Sequence, residues 1–145
     1  MRIIDLFSGV GGLTFGFYYR KYKDHFVRNR KNQFVFANEY NPFAAKAYSE
    51  NYPDIPMKNC DIKSLKESDI RKWIGSEPVD LIIGGPPCQS FSTVGQRNYD
   101  EKAQLYTEYL RVLKIARPKM FLFENVRGIL SMREIFYKRD AAGNI

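Results

Sequence analysis

Short apolar runs alternate with helical patterns along the chain, and few folds accommodate that alternation. Four runs predict strands, and polar or glycine residues end or directly follow each of them: "RIIDLF", "FVFANE", "VDLIIGG" and "MFLFE". Apolar residues at helical spacing follow every run. Strands alternating with helices imply right-handed crossovers and a mostly parallel sheet covered on both faces. We therefore predict an α/β, doubly wound fold in a single domain that occupies residues 1–145.

The first helix is predicted directly after the first strand, where aromatic residues recur at helical spacing. A basic segment, residues 20–31, then interrupts the apolar pattern and predicts an exposed loop. Its six cations either add nonspecific phosphate contacts or belong only to a solvated loop. Two later helices are predicted from Leu105 to Ala116 and from about Gly128 to Tyr137. The residues that define the first helix are Phe15, Tyr18, Tyr19 and Tyr22.

End signals mark the second and third helices. Asn41 can cap the second helix, and Pro42 suits its first turn. Ser64 and Glu67 have the spacing of a capping box, which predicts the start of the third helix there. An apolar stripe follows and stops at Gly75, a residue typical of helix ends.

Composition favours an ordinary cytoplasmic protein. Hydrophobic residues make up 44% of the chain, yet no apolar run approaches the roughly 18 residues of a membrane span. We therefore expect a cytoplasmic protein with no membrane partner, and we predict no metal site. The net charge is +7, which is as compatible with a polyanionic partner as with an ordinary solvated surface. The two cysteines, Cys60 and Cys88, are too few for a disulfide framework.

Polar and glycine residues gather where the predicted strands end. In open α/β sheets, ligands bind at the carboxyl ends of the strands, near the point where strand order reverses. We therefore expect the functional groups to converge on one rim of the sheet. The residues at the predicted strand ends are Asp5 to Gly12, Glu39, Asp61, Gly84 to Cys88, and Glu124 with Asn125.

The glycine turn "DLFSGVGG" favours a bound nucleoside over a dinucleotide. The dinucleotide pattern G-x-G-x-x-G would need a third glycine where Thr14 stands, which disfavours a nicotinamide-dependent reductase. Glu39 is placed to accept hydrogen bonds from a ribose, and Tyr40 could stack on a base. For the glycines, the alternative is a plain strand-to-helix turn. For Glu39 and Tyr40, the alternative is an ordinary helix start.

Cys88 is presented differently from Cys60. Pro86 and Pro87 fix the backbone directly before it and carry no amide donor, so the thiol would sit on a rigid bend at a strand end. Attack requires a thiolate, which a basic or amide-rich pocket would favour. The alternative is a small buried hydrophobe, and that is how we interpret Cys60.

Five segments in this order resemble the DNA cytosine-5-methyltransferase family: "DLFSGVGG", "NEY", "CDI", "GGPPCQSFS" and "ENVRG". The resemblance spans almost the whole chain and implies a Rossmann-like methyltransferase fold with S-adenosyl-L-methionine as cofactor. One departure is Cys60, where the family usually has glycine. The implied cofactor-binding residues are Phe7, Gly9, Gly11, Gly12, Glu39, Tyr40, Asp61, Ile62 and Pro87.

The resemblance also implies the chemistry. Cys88 would add to C6 of a cytosine flipped out of double-stranded DNA, and Glu124 would hydrogen-bond the base as charge develops. The alternative for Glu124 is that it only caps the end of a strand. The implied setting is restriction–modification, and an RNA-methylating relative is also compatible with these motifs. The implied nucleic-acid contacts are Gln89, Ser92, Gln96 and Arg97.

The resemblance ends after "ENVRG". Family members continue with a paired-arginine motif, a target-recognition region and a C-terminal segment, so the fold is expected to be truncated relative to the family. We expect either a second polypeptide that supplies these parts or a truncated gene product. The alternative to a catalytic half is an inactive remnant or a cofactor- or DNA-binding module. Self-association is also expected, because the first helix spreads aromatic residues over more than one face.

Overall fold

A computed structural model describes residues 1–87 and 105–126. Within these ranges strands and helices alternate as the sequence predicts, except for a two-stranded hairpin that follows the first helix. In chain order the elements are β1 (Arg2–Leu6), α1 (Gly12–Tyr18), β2 (Tyr19–Tyr22), β3 (His25–Arg28), β4 (Gln33–Glu39), α2 (Pro42–Asn51), β5 (Met57–Asn59), a 3-10 helix (Ile62–Ser64), α3 (Glu67–Ile74), β6 (Leu81–Gly84), α4 (Leu105–Ala116) and β7 (Met120–Phe123).

Five of the strands form one parallel sheet in the order β5-β4-β1-β6-β7. The chain moves outward from β1 to β4 and β5, then returns to the other side of β1 for β6 and β7. Strand order therefore reverses between β1 and β6, and the carboxyl ends of these two strands flank the expected ligand crevice. The predicted α/β doubly wound fold is confirmed.

The sheet separates two apolar clusters. Adjacent residues of β1 point to opposite faces, so Ile3 enters one cluster and Ile4 the other. The Ile3 cluster contains side chains of α1 and α2, including Tyr18 and Tyr48, whereas the Ile4 cluster contains side chains of α3 and α4. Burial on both faces explains why β1, β4 and β6 show continuous apolar runs rather than alternation. β7 is equally apolar but lies at the sheet edge, where Met120, Phe121 and Leu122 are exposed.

Helix ends follow the sequence signals in one case and depart from them in another. Asn41 caps α2 by accepting hydrogen bonds from the amides of Phe43 and Ala44, at 2.9 and 3.2 Å. The capping box predicted for α3 is wrong, because Ser64 belongs to the 3-10 helix and its hydroxyl donates to the Asp61 carbonyl at 2.6 Å. Lys66 takes the position before α3 without a side-chain cap.

The first helix is shorter than predicted, and the predicted exposed loop is a β-hairpin. α1 ends at Tyr18, after which β2 pairs antiparallel with β3. The Phe15 ring packs against Phe26 of β3, with ring centroids 5.1 Å apart. Tyrosine, phenylalanine and valine favour strands, and cross-strand pairing here overrides the helical spacing of the aromatics.

Two further segments differ from the sequence expectation. β5 was not predicted, because it has three residues, is mostly polar and lies at a sheet edge. The helix predicted from about Gly128 to Tyr137 lies outside the described residues. Among the helices of residues 1–87 and 105–126, none has the length and apolarity needed to cross a membrane.

Gly11→Ala tests the packing beneath the glycine turn. Gly11 has a φ of 95°, and an added Cβ would lie 2.1 Å from Cε2 of the Tyr52 ring. We expect a loss of roughly 2–4 kcal/mol in the free energy of unfolding, measured by urea denaturation, because a strained backbone and overpacking combine. The matched control is Gly16→Ala in α1, where nothing lies within 4 Å and a gain of up to about 1 kcal/mol is expected. Equal stability of the two variants would refute the packing argument.

Candidate active site

An open cleft of about 710 Å³ lies at the carboxyl ends of β1, β4 and β6. It brings together six of the nine residues that the sequence assigns to a cofactor, although they come from four separate segments. Those six are Phe7, Glu39, Tyr40, Asp61, Ile62 and Pro87, and the cleft is completed by Asn38, Asn41, Lys63, Gly85 and Leu105.

The Glu39 carboxylate is held between two backbone amides. Its Oε2 accepts from the Gly9 amide at 2.8 Å, and its Oε1 accepts from the Asn41 amide at 2.7 Å. The Asn59 side chain donates to the carbonyls of Glu39 and Tyr40, at 2.8 and 3.1 Å. A carboxylate offers about four acceptor positions, so Glu39 is fixed in place and can still accept from a ligand.

The three glycines of the turn have different surroundings. An added Cβ at Gly9 or Gly12 would meet nothing within 4 Å, so the backbone there is open to a ligand. Gly11 instead faces the Tyr52 ring, whose hydroxyl donates to the Gly11 carbonyl at 2.8 Å. The glycine at position 11 therefore serves packing, whereas Gly9 and Gly12 leave space above the turn.

The Asp61 segment is positioned by Asn38. The buried Asn38 side chain donates to the carbonyls of Lys58 and Cys60, at 2.8 and 2.9 Å. Asp61 then caps the 3-10 helix by accepting from the Lys63 amide at 2.9 Å. Cys60 is partly buried against the core, as the sequence interpretation expected.

Sequence reasoning missed Asn38. Asn38 is 2% exposed and stands inside an apolar strand, and an amide in such a run is a signal of a specific hydrogen-bonding role. Tyr40, which was predicted to contact a base, is 74% exposed at the cleft, and Phe43 is 81% exposed at the start of α2.

Glu124 lies beside the segment that leads into Cys88. Its amide donates to the Gly84 carbonyl at 2.9 Å, and its Oε2 is 2.7 Å from the place where a Cβ on Gly85 would stand. Asn125 donates to the Pro86 carbonyl at 3.3 Å. The ends of β6 and β7 are therefore tied together. Cys88, Gln89, Ser92, Gln96 and Arg97 lie outside the described residues.

A buried acid supports the glycine turn from below. Asp5 is 1% exposed, and its Oδ2 accepts from the Thr14 hydroxyl, which in turn lies 2.9 Å from the Tyr48 hydroxyl. Within the described residues its Oδ1 has no hydrogen-bond partner. Burial raises the pKa of Asp5 to about 7, the Thr14 hydrogen bond lowers it, and the charge of Glu39 raises it.

The comparisons with known proteins agree on one family. The model of the C-5 cytosine-specific DNA methylase family matches residues 1–139. The Type II methyltransferase M.AgeI of Thalassovita gelatinovora is 42% identical over 135 residues, which are 91% of this chain and 29% of that protein. M.NgoPII of Neisseria gonorrhoeae is 40% identical over 92% of this chain and 35% of its own.

Solved structures give the same result. A proposed DNA modification methyltransferase encoded within an E. coli prophage has a TM-score of 0.73 and 33% identity, over 95% of this chain and 36% of its own. The Dnmt2 methyltransferase of S. pombe has a TM-score of 0.62 and 26% identity, over 89% of this chain and 35% of its own. The chain therefore spans about a third of these relatives.

Asp5→Asn tests whether the buried acid makes folding stability depend on pH. The folded pKa of about 7 exceeds the unfolded value of 3.8, so the contribution of Asp5 is present at acid pH and is lost as pH rises through 7. We expect wild type to lose roughly 3 kcal/mol more than Asp5→Asn between pH 5 and pH 8 in urea denaturation.

Thr14→Val provides the contrast. It removes the hydrogen bond that lowers the pKa of Asp5, so the loss of stability should extend to higher pH and be larger between pH 5 and pH 8 than in wild type. If the free energy of unfolding of wild type and Asp5→Asn changes with pH in parallel, Asp5 is not the source of the pH dependence.

Proposed function

The chain belongs to the C-5 cytosine-specific DNA methylase family, and we propose that it acts in methyl transfer to C5 of cytosine in double-stranded DNA, with S-adenosyl-L-methionine as donor. One observation carries the proposal. The Glu124 carboxylate stands against Gly85, on the segment that leads through two prolines to Cys88, at the edge of a cleft suited to a nucleoside.

The residues of the cleft fit this cofactor. Glu39 is fixed by two amides and keeps acceptor positions for ribose hydroxyls, and Tyr40 offers a ring for the adenine. We assign the adenine edge to Asp61 and Ile62. The methionine side is assigned to Phe7, Gly9, Gly11 and Gly12, with open backbone at Gly9 and Gly12, and Pro87 is assigned to the border of the methyl group. When bound, the cofactor supplies an electrophilic methyl group.

Cys88 is assigned the role of nucleophile. Its thiolate forms a bond to C6 of the cytosine, and the C5–C6 π electrons make C5 nucleophilic. After C5 is methylated, a base removes the C5 proton, the C5–C6 double bond forms again and the bond to sulfur breaks. The thiolate is thereby regenerated.

Glu124 is assigned to the base itself. A carboxyl group in its position can hydrogen-bond the ring nitrogen and the exocyclic amino group, and so stabilise charge that develops on the ring when sulfur adds. The two hydrogen bonds between the ends of β6 and β7 support this role, because they fix the Glu124 backbone against the segment that carries the nucleophile.

The target base must leave the duplex for this chemistry, since C6 is inaccessible inside stacked base pairs. We assign contacts with the opened duplex to Gln89, Ser92, Gln96 and Arg97.

Methyl transfer is best measured in two forms: with the chain alone, and with the chain together with a second polypeptide that carries the family's remaining regions. Transfer to RNA but not to DNA would replace this proposal with the RNA alternative.

Cofactor binding can be tested by calorimetry on the chain alone. S-adenosyl-L-methionine or its demethylated product should bind, and Glu39→Gln should weaken binding by roughly tenfold to a hundredfold, because a charged acceptor is lost. Glu50→Gln, on the exposed side of α2, is the matched control and should bind as wild type does. A folded chain that binds neither compound at millimolar concentration would count against the cleft.

Cys88→Ser tests the nucleophile in active enzyme. An alcohol ionises far less readily than a thiol, so methyl transfer should fall by at least roughly a thousandfold while cofactor binding is retained. Cys60→Ser is the control and should stay active. Duplex DNA with 5-fluorocytosine at the target should trap wild type covalently, since the C5 proton is missing. An adduct at Cys60, or comparable turnover by Cys88→Ser, would refute the assignment.

A further inference from the structure

The β2–β3 hairpin carries a groove of about 840 Å³ that is rich in cations. Among the described residues, no carboxylate lines it. The basic side chains of the groove are Arg20, Arg28, Arg30 and Lys31, and the remaining lining residues are Tyr22, Val27 and Asn29. Such a groove fits an anionic partner better than an apolar one.

The hairpin register separates an inner face from an outer face. Lys21 pairs with Phe26, and Phe26 packs on Phe15 of α1, so this face turns toward the helix. Arg20 pairs with Val27 on the opposite face, because successive side chains of a strand alternate. Arg20, Tyr22 and Val27 therefore line the groove from the outer face, with Arg20 exposed. Arg28, two residues from Phe26, belongs to the inner face and borders the groove at the end of β3.

One cation of the groove makes contacts that stabilise the fold, and the other three are available to bind a ligand. Arg28 bonds Asp54 at 3.2 Å and stacks 3.9 Å from the centroid of the Tyr18 ring. Among the residues that the structure describes, Arg20, Arg30 and Lys31 have no carboxylate partner. Unpaired cations on a surface repel one another, and a partner that supplies regularly spaced negative charge relieves this repulsion.

The groove lies at the end of the sheet opposite the candidate active site. The amino group of Met1 donates to the Lys31 carbonyl at 2.7 Å, which puts the groove beside the start of β1. The cleft lies beyond the carboxyl end of the same strand. Five residues of strand span about 17 Å, so one ligand group cannot occupy both places.

We propose that this groove binds the phosphate backbone of double-stranded DNA at a second place on the molecule, separate from the catalytic cleft. The choice of DNA rests on the proposed function, and the binding of a polyanion rests on the groove alone. Arginine is well suited to bidentate phosphate contacts, and two of the three available cations are arginines. The contact is independent of base sequence and keeps the protein on DNA between encounters with target sites.

The test compares two variants that lose the same charge. One carries Arg20→Gln, Arg30→Gln and Lys31→Gln in the groove. The other carries Lys46→Gln, Lys72→Gln and Lys114→Gln, all exposed lysines on helices outside the hairpin. Affinity for a labelled duplex of arbitrary sequence is measured by fluorescence anisotropy at several salt concentrations, and circular dichroism checks that both variants are folded.

The groove variant should lose salt dependence as well as affinity. Three phosphate contacts contribute a slope of about 2.7 in log K against log salt, so between about 50 and 200 mM salt wild type should lose roughly 40-fold more affinity than the variant. The helix variant should retain the wild-type slope. Equal slopes for wild type and groove variant, or equal losses in both variants, would overturn the proposal.

Two further arms identify the partner and separate this proposal from the catalytic one. Single-stranded RNA of equal charge and vesicles containing phosphatidylserine replace the duplex, and tighter groove-dependent binding of either would overturn the choice of DNA. Cys88→Ser should retain groove-dependent duplex binding. If methyl transfer fails in every form while the groove effect persists, the proposed function fails and polyanion binding stands.

Discussion

The site depends on the Glu39 carboxylate, which joins the ends of two neighbouring strands. One oxygen accepts from Gly9 after β1, and the other accepts from Asn41 at the start of α2. These hydrogen bonds fix the glycine turn against the end of β4, and Asn59 extends the connection to β5. Three adjacent strand ends thus become one rigid rim. A cofactor site needs this rigidity, because side chains on independent loops would first have to be ordered.

The rim is supported by polar groups that a purely apolar core would lack. Thr14 bonds Asp5 and lies near Tyr48, while Tyr52 packs under Gly11 and bonds its carbonyl. Asp5 is buried, and one of its oxygens has no hydrogen-bond partner in the part of the chain that the structure describes. Keeping such an acid buried costs free energy directly beneath the glycine turn. In natural proteins, unfavourable local interactions of this kind are concentrated at functional sites, where the surrounding structure holds the functional residues in place.

The sequence predicted those features that follow from strong local patterns. The buried strands, the Asn41 cap and the rim positions follow from apolar runs, capping chemistry and the geometry of parallel sheets, all of which are local or topological. The hairpin was missed because Tyr19 and Tyr22 satisfy helical spacing, and only pairing with β3 and packing on Phe15 decide the outcome. The support by Asn38 was missed because its acceptors lie about twenty residues away in the chain.

The two consecutive glycines in "GGPPC" are required for different physical reasons. A side chain on Gly84 would put its Cβ 2.5 Å from the Leu6 carbonyl, so that glycine allows β6 to pack against β1 and Tyr109. A side chain on Gly85 would meet the Glu124 carboxylate instead. The first glycine thus preserves the sheet, and the second leaves room for an acid beside the route to Cys88. Strand packing explains why position 84 is a glycine. The glycine at position 85 is explained by the position of Glu124, so Gly85 is linked to the site rather than to the core.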